Sequence, residues 1–124
     1  MTILDTSVLI EALGAGGAMR GELRAAIARG ERLAIPSLVL YEWLRGPRLP
    51  EELTAQEALF PAASALPFGP DEARLAASLY RSASGARGRE IDLAIAACVL
   101  SWNATLWTRD AKHFTGVEGL ALRS

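Results

Sequence analysis

Thr2-Ile3-Leu4-Asp5-Thr6-Ser7-Val8-Leu9-Ile10-Glu11-Ala12-Leu13 opens the chain and decides its fold. Thr2–Leu4 is a short apolar segment of the kind that forms a buried strand, and Asp5 ends it. Thr6 and Ser7 offer hydroxyl caps for a helix over Val8–Leu13. Gly14, Gly16 and Gly17 break that helix and form a turn. A buried strand that passes directly into a helix is the opening of an α/β fold, and the rest of the chain repeats the pattern.

A second helix spans Met19–Arg29, with Met19, Leu23, Ala26 and Ile27 on one face, and Gly30 stops it. Leu33–Ile35 reads as a second buried strand. Pro36 and Ser37 open a helix over Leu38–Leu44, which Gly46-Pro47 ends. Residues 50–60 are helical and amphipathic, and Ala63–Leu66 reads as a weak strand. Pro70 and the acids Asp71 and Glu72 start a helix that runs to about Ser82. Residues 84–89 are a loop, and Glu90–Trp102 is a helix. Ala104–Trp107 is a strand, Asp110–Phe114 a helical turn and Leu120–Leu122 an edge strand. Short apolar strands alternating with helices predict a short parallel β-sheet sandwiched by α-helices.

The length of 124 residues suits a single domain over 1–124, and half of the chain is apolar, enough for a real core. The net charge of -1 excludes a protein that coats nucleic acid by bulk charge, though not an enzyme that touches a few phosphates. Twelve of the basic residues are Arg and only Lys112 is Lys. Arg suits bidentate phosphate contacts, and a GC-rich genome accounts for the bias equally well. Cys98 is the only cysteine, which excludes a disulfide within the chain and a cysteine zinc site; in its apolar run it reads as a small core residue. No signal peptide and no run of about 18 apolar residues is present, so the expected location is the cytoplasm, without a membrane.

In open α/β sheets, ligands bind outside the carboxyl ends of the strands. Asp5, Glu42, Asp92 and Asp110 fall at or near such positions. Asp5 and Asp110 each follow a strand and precede a helical segment, where an acid is commonly a cap or turn residue. Glu42 lies among apolar neighbours in Leu38-Val39-Leu40-Tyr41-Glu42-Trp43-Leu44; pairing with Arg45 is its ordinary alternative. Asp92 is the one charge in Ile91-Asp92-Leu93-Ala94-Ile95-Ala96-Ala97-Cys98-Val99-Leu100. A first-turn acid is favoured by the helix dipole, but that does not account for the apolar flanks, and an unpaired buried carboxylate is costly. Clustered carboxylates repel unless a cation neutralises them. Mg2+ or Mn2+ is the expected cation, and its chemistry is the displacement of a phosphodiester by activated water.

Ile3-Leu4-Asp5-Thr6-Ser7-Val8-Leu9-Ile10 resembles the opening strand and helix of PIN domains. Pro36-Ser37-Leu38-Val39-Leu40-Tyr41-Glu42, Ile91-Asp92-Leu93-Ala94-Ile95-Ala96-Ala97 and Leu106-Trp107-Thr108-Arg109-Asp110-Ala111-Lys112-His113-Phe114 resemble the later acidic motifs. Their order and the chain length resemble VapC-type toxins across essentially the whole chain. The resemblance implies a PIN-like fold and a Mg2+- or Mn2+-dependent endoribonuclease, the toxin of a type II toxin–antitoxin pair, with an RNA substrate, a cognate antitoxin and a homodimeric state. It assigns Asp5, Glu42, Asp92 and Asp110 to catalysis and metal binding, and Thr6 and Thr108 to supporting hydroxyls.

One departure stands out: many members carry Asn at the position of Asp110 and an acid at that of His113. His113 could meet a metal or a phosphate but reads first as a solvated or capping residue, and Arg87 and Arg89 read as loop residues that could meet RNA phosphates. Tyr41, Trp43, Trp102 and Trp107 lie in apolar runs and read as core.

Three other functions compete. An RNA-processing PIN nuclease without an antitoxin would differ in its gene neighbourhood. A non-catalytic PIN-like binding module would not bind a metal. A phosphoacceptor signalling domain would need paired acids after the first strand and an acceptor Asp on a central one, which are missing.

Overall fold

The computed structural model describes residues 1–123. Four strands, β1 (Thr2–Leu4), β2 (Leu33–Ala34), β3 (Thr105–Trp107) and β4 (Ala121–Leu122), form one sheet in the order β2-β1-β3-β4. Every neighbouring pair is parallel. Thr2 stands opposite both Leu33 and Thr105, and Leu4 opposite Trp107. Consecutive strand residues face opposite sides of a sheet. Ile3 and Leu4 are both fully buried, and Leu106 and Trp107 nearly so, so helices cover both faces as the alternating pattern predicts.

The helices are α1 (Thr6–Leu13), α2 (Arg20–Ala28), α3 (Ser37–Arg45), α4 (Pro50–Leu59), α5 (Pro70–Ser82) and α6 (Glu90–Ser101). The core joins β1 and β3 to Val8, Leu9, Val39, Trp43, Ile95 and Val99. Helix α6 is buried continuously from Leu93 to Val99, including Cys98. Burial pushes the Cys98 thiol up to about 11. The start of α5 forms as its sequence indicates: Glu72 Oε1 accepts from the Gly69 N–H at 2.9 Å. Among the described residues no helix is long and apolar enough to cross a membrane.

Several expectations are corrected. Ala63–Leu66 is not a strand; Ala62–Ser64 form a 3-10 turn after Pro61, and only Leu66 bridges to Pro36. The hydroxyls of Thr6 and Ser7 do not cap α1, because both are used in contacts with carboxylates. Ile27 leaves the buried face of α2 formed by Leu23 and Ala26. Tyr41 and Trp102 are about half exposed, whereas Trp43 and Trp107 are core. Helix α4 buries Gln56, whose amide donates to the Phe60 carbonyl at 2.9 Å, and exposes Leu53 and Leu59.

Candidate metal centre

Strand β1 lies at the point where the sheet order reverses, with β2 on one side and β3 on the other. The crevice beyond its carboxyl end is where such sheets place ligands. Asp5 follows β1 directly, and its N–H continues the ladder by donating to the Trp107 carbonyl at 2.9 Å. Its side chain is 5% exposed. A carboxylate so deeply buried needs donors, and two hydroxyls provide them. Thr108 Oγ1 donates to Asp5 Oδ2 at 2.8 Å, and Ser7 Oγ donates to the same oxygen at 3.0 Å.

The same hydroxyls brace the segment after β3. Ser7 Oγ accepts from the Arg109 N–H at 2.9 Å, and Thr108 Oγ1 accepts from the Asp110 N–H at 2.9 Å. Ser7 was missed as a site residue by the sequence reading. The signal was present as a hydroxyl two residues beyond a strand-ending Asp, but it matched a helix cap equally well.

Glu42 comes from α3. Pro36, two residues after β2, starts that helix, which turns Glu42 back toward α1, where the Thr6 hydroxyl donates to Glu42 Oε1 at 2.5 Å. Its other oxygen lies 3.4 Å from Arg45 Nη2, so the pairing weighed from sequence is also present. This contact uses one edge of the carboxylate, and the Arg45 side chain is largely exposed.

Asp92 lies in the first turn of α6 and is three-quarters covered. Burial raises its pKa above its ordinary value, and the negative charges of Asp5 and Glu42 raise it further; His113 and Arg89 act in the opposite sense. The charges of Asp5 and Glu42 therefore reach Asp92, although the three acids come from distant segments. Asp110 is tied to this corner by its main chain, its N–H donating to Thr108 Oγ1.

His113 is in the 3-10 turn Ala111–Phe114, with Nδ1 at 3.8 Å from Asp92 Oδ2, and is therefore not simply solvated. Arg89 donates to the His113 carbonyl at 3.0 and 3.2 Å and to the Thr115 carbonyl at 3.0 Å. Arg87 is exposed.

Among the described residues no three Asp, Glu, His or Cys side chains close around an ion by themselves. The donor chemistry nevertheless fits a hard divalent cation, which takes one or two carboxylates and keeps several waters. The repulsion of Asp92 by Asp5 and Glu42 is what such an ion would relieve.

The PIN domain family model matches residues 2–120. Ribonuclease VapC19 from Mycobacterium tuberculosis is 34% identical over 116 residues, covering 92% of each chain. FitAcB from Neisseria gonorrhoeae has a similar structure, with a TM-score of 0.72 and 22% identity over 99% of this chain and 97% of that one. VapBC-5 from Mycobacterium tuberculosis, a member of the VapBC family of toxin–antitoxin systems, gives a TM-score of 0.62 and 27% identity over 99% and 98%.

Proposed function

The chain belongs to the PIN-domain family, and from that premise we propose that it is an endoribonuclease, the toxin of a type II toxin–antitoxin pair. The observation that carries this reading is the buried Asp5 carboxylate at the carboxyl end of the sheet, seated by the Ser7 and Thr108 hydroxyls, with Glu42 held by the adjacent Thr6. Activity depends on a divalent metal, with Mg2+ or Mn2+ as the ion.

Asp5, Glu42 and Asp92 would hold the cation together with bound water, with Asp110, tethered through its N–H to Thr108, as the fourth acid. The bound ion supplies a nucleophilic water and charge stabilisation for phosphodiester cleavage. The remaining chemistry belongs to the chain. Thr108 and Ser7 both donate to Asp5 Oδ2 and so fix the orientation of that carboxylate. Thr6 does the same for Glu42. Burial of Asp5 keeps bulk water from screening the group. Arg87, exposed before α6, is the nearer candidate for an RNA phosphate, because Arg89 is engaged with two carbonyls.

A cognate antitoxin silences the enzyme, and the toxin is a homodimer. The exposed apolar side chains Tyr41 and Leu44 on α3 and Leu53 and Leu59 on α4 support protein contacts there. The test is expression in a bacterial host, with and without Asp5→Asn, followed by mapping of cleaved RNA. Metal-dependent cuts that vanish in the variant support the reading; equal cleavage by both proteins, or full activity in chelator, overturns it.

A further inference from the structure

Arg109 follows Thr108 directly and lies along α1. Its N–H donates to Ser7 Oγ at 2.9 Å, and its guanidinium Nε stands 2.6 Å from Glu11 Oε2. Ser7 and Glu11 are four residues apart in α1, so they share one face of that helix. One residue therefore grips α1 at two points a turn apart. The guanidinium is also fixed from the side. Its Nη1 donates to the Met19 sulfur at 3.4 Å, and the Met19 N–H donates to the Glu11 carbonyl at 2.9 Å. Glu11 Oε2 is shut off from water and accepts no hydrogen bond among the described residues, so the Arg109 charge is what compensates its burial.

Both hydroxyl donors of the Asp5 carboxylate depend on this residue. Thr108 is its neighbour in the chain, and Ser7 accepts its N–H. A hydroxyl has one proton to give. Ser7 Oγ lies 3.4 Å from Thr108 Oγ1, close enough for either to donate to the other instead of to Asp5. The Arg109 N–H on one hydroxyl and the Asp110 N–H on the other fill acceptor sites and leave both protons for Asp5 Oδ2. That arrangement lasts only while residues 108–110 stay against α1.

We propose that Arg109 is a positioning residue of the nuclease: its ion pair with Glu11 latches the segment after β3 onto α1 and so keeps the Ser7 and Thr108 hydroxyls aimed at Asp5. The proposal rests on the metal-dependent nuclease reading above. Arg109 acts through the two hydroxyls and not by touching metal or RNA. Glu11, at the other end of the pair, is therefore as necessary as Arg109.

A double-mutant cycle with Arg109→Ala, Glu11→Ala and both changes together tests this, on an RNA oligonucleotide spanning a mapped cut and with saturating Mn2+. The two side chains are 48% and 38% exposed, so these changes leave the core packed. Each single change should lower kcat about fivefold, the scale of a half-exposed ion pair, with KM unchanged. The double change should lower it no further. The Mn2+ Kd, read by calorimetric titration without RNA, should rise by a similar factor in all three variants, and Arg109→Lys should recover most of both losses. A raised KM in Arg109→Ala that Glu11→Ala does not share would make Arg109 a direct RNA contact and overturns the latch. Unchanged kcat and Mn2+ Kd in the single variants overturn it too, as do losses that add in the double variant. A wild type that binds Mn2+ but cuts no RNA overturns the nuclease reading, and the titration still judges the latch; a wild type that binds no Mn2+ overturns both.

Discussion

Thr108 donates its hydroxyl to the buried carboxylate of Asp5 at 2.8 Å and ties the carboxyl end of β3 to that of β1. Replacing it with Val keeps the volume but leaves Asp5 with Ser7 as its remaining hydroxyl donor, and removes the acceptor of the Asp110 N–H. A bond to a charged, buried acceptor contributes about 1.5–3 kcal/mol. Thr108→Val should lower the urea unfolding free energy by about that amount, while Thr108→Ser should recover most of it. Equal stability of all three proteins would mean that the hydroxyl has no part in seating Asp5.

Asp92 offers a crossover. Its carboxyl is raised by burial and by Asp5 and Glu42, so the folded metal-free protein holds a proton there more tightly than the unfolded chain. The sign follows: the metal-free fold loses stability as pH rises through and above the ordinary carboxylate range. Asp92→Asn should flatten that decline and raise the metal-free Tm at neutral pH. A metal at one hundred times its Kd adds about 2.7 kcal/mol to the folded state. That gain should appear in wild type and largely vanish in Asp92→Asn, as read by thermal melts with and without Mn2+. Superimposable melts under all conditions would reduce Asp92 to an ordinary first-turn acid.

Glu31 predicts the opposite pH behaviour. Hydrogen bonds from Arg123 and then Arg29 hold its carboxyl down to about 2. A depressed acid contributes stability above its unfolded value of about 4.5 that is lost as pH falls toward 2. Glu31→Gln should therefore weaken the fold at neutral pH and lessen the further loss between those limits. Acid unfolding followed by circular dichroism measures it, and an unchanged profile would show that the pairs break in solution.

Cys98, buried in α6 with its thiol pushed up to about 11, should be inert. Native protein should react with a thiol reagent only at the rate of global unfolding, and added denaturant should release the reaction. Rapid labelling of folded protein would contradict the burial of this helix.

The strands and the acids were legible for the same reason. Ile3-Leu4 and Leu106-Trp107 are apolar on consecutive residues, which a strand accommodates in a sheet covered on both faces. Asp92 is conspicuous because its apolar neighbours leave it nothing local to pair with. What depended on tertiary placement was less legible. Ser7 looks like a cap because its real partners, Asp5 Oδ2 and the Arg109 N–H, meet only when β1 and β3 are side by side. His113 and Asp92 are far apart in the chain, and no spacing rule connects them. Tyr41 and Trp102 read as core because an apolar run does not reveal which of its faces stays uncovered. At Leu66 a single bridge to Pro36 stands where the residue pattern implied a strand, since one paired residue leaves little trace in the sequence.

The seat of Asp5 is built from the two extremes of the chain: β1 pairs with β3, and the Thr108 bond spans 103 residues. During synthesis, a growing polypeptide that has emerged only through α5 already contains Asp5 and Glu42, yet it lacks Asp92, Thr108 and the strand that orders the first of these. Contacts of such sequence separation form late, after their loop-closure entropy has been met. A nascent chain therefore carries Asp5 without its seat until Thr105–Thr108 has been made, and the acids can be set in place only after that.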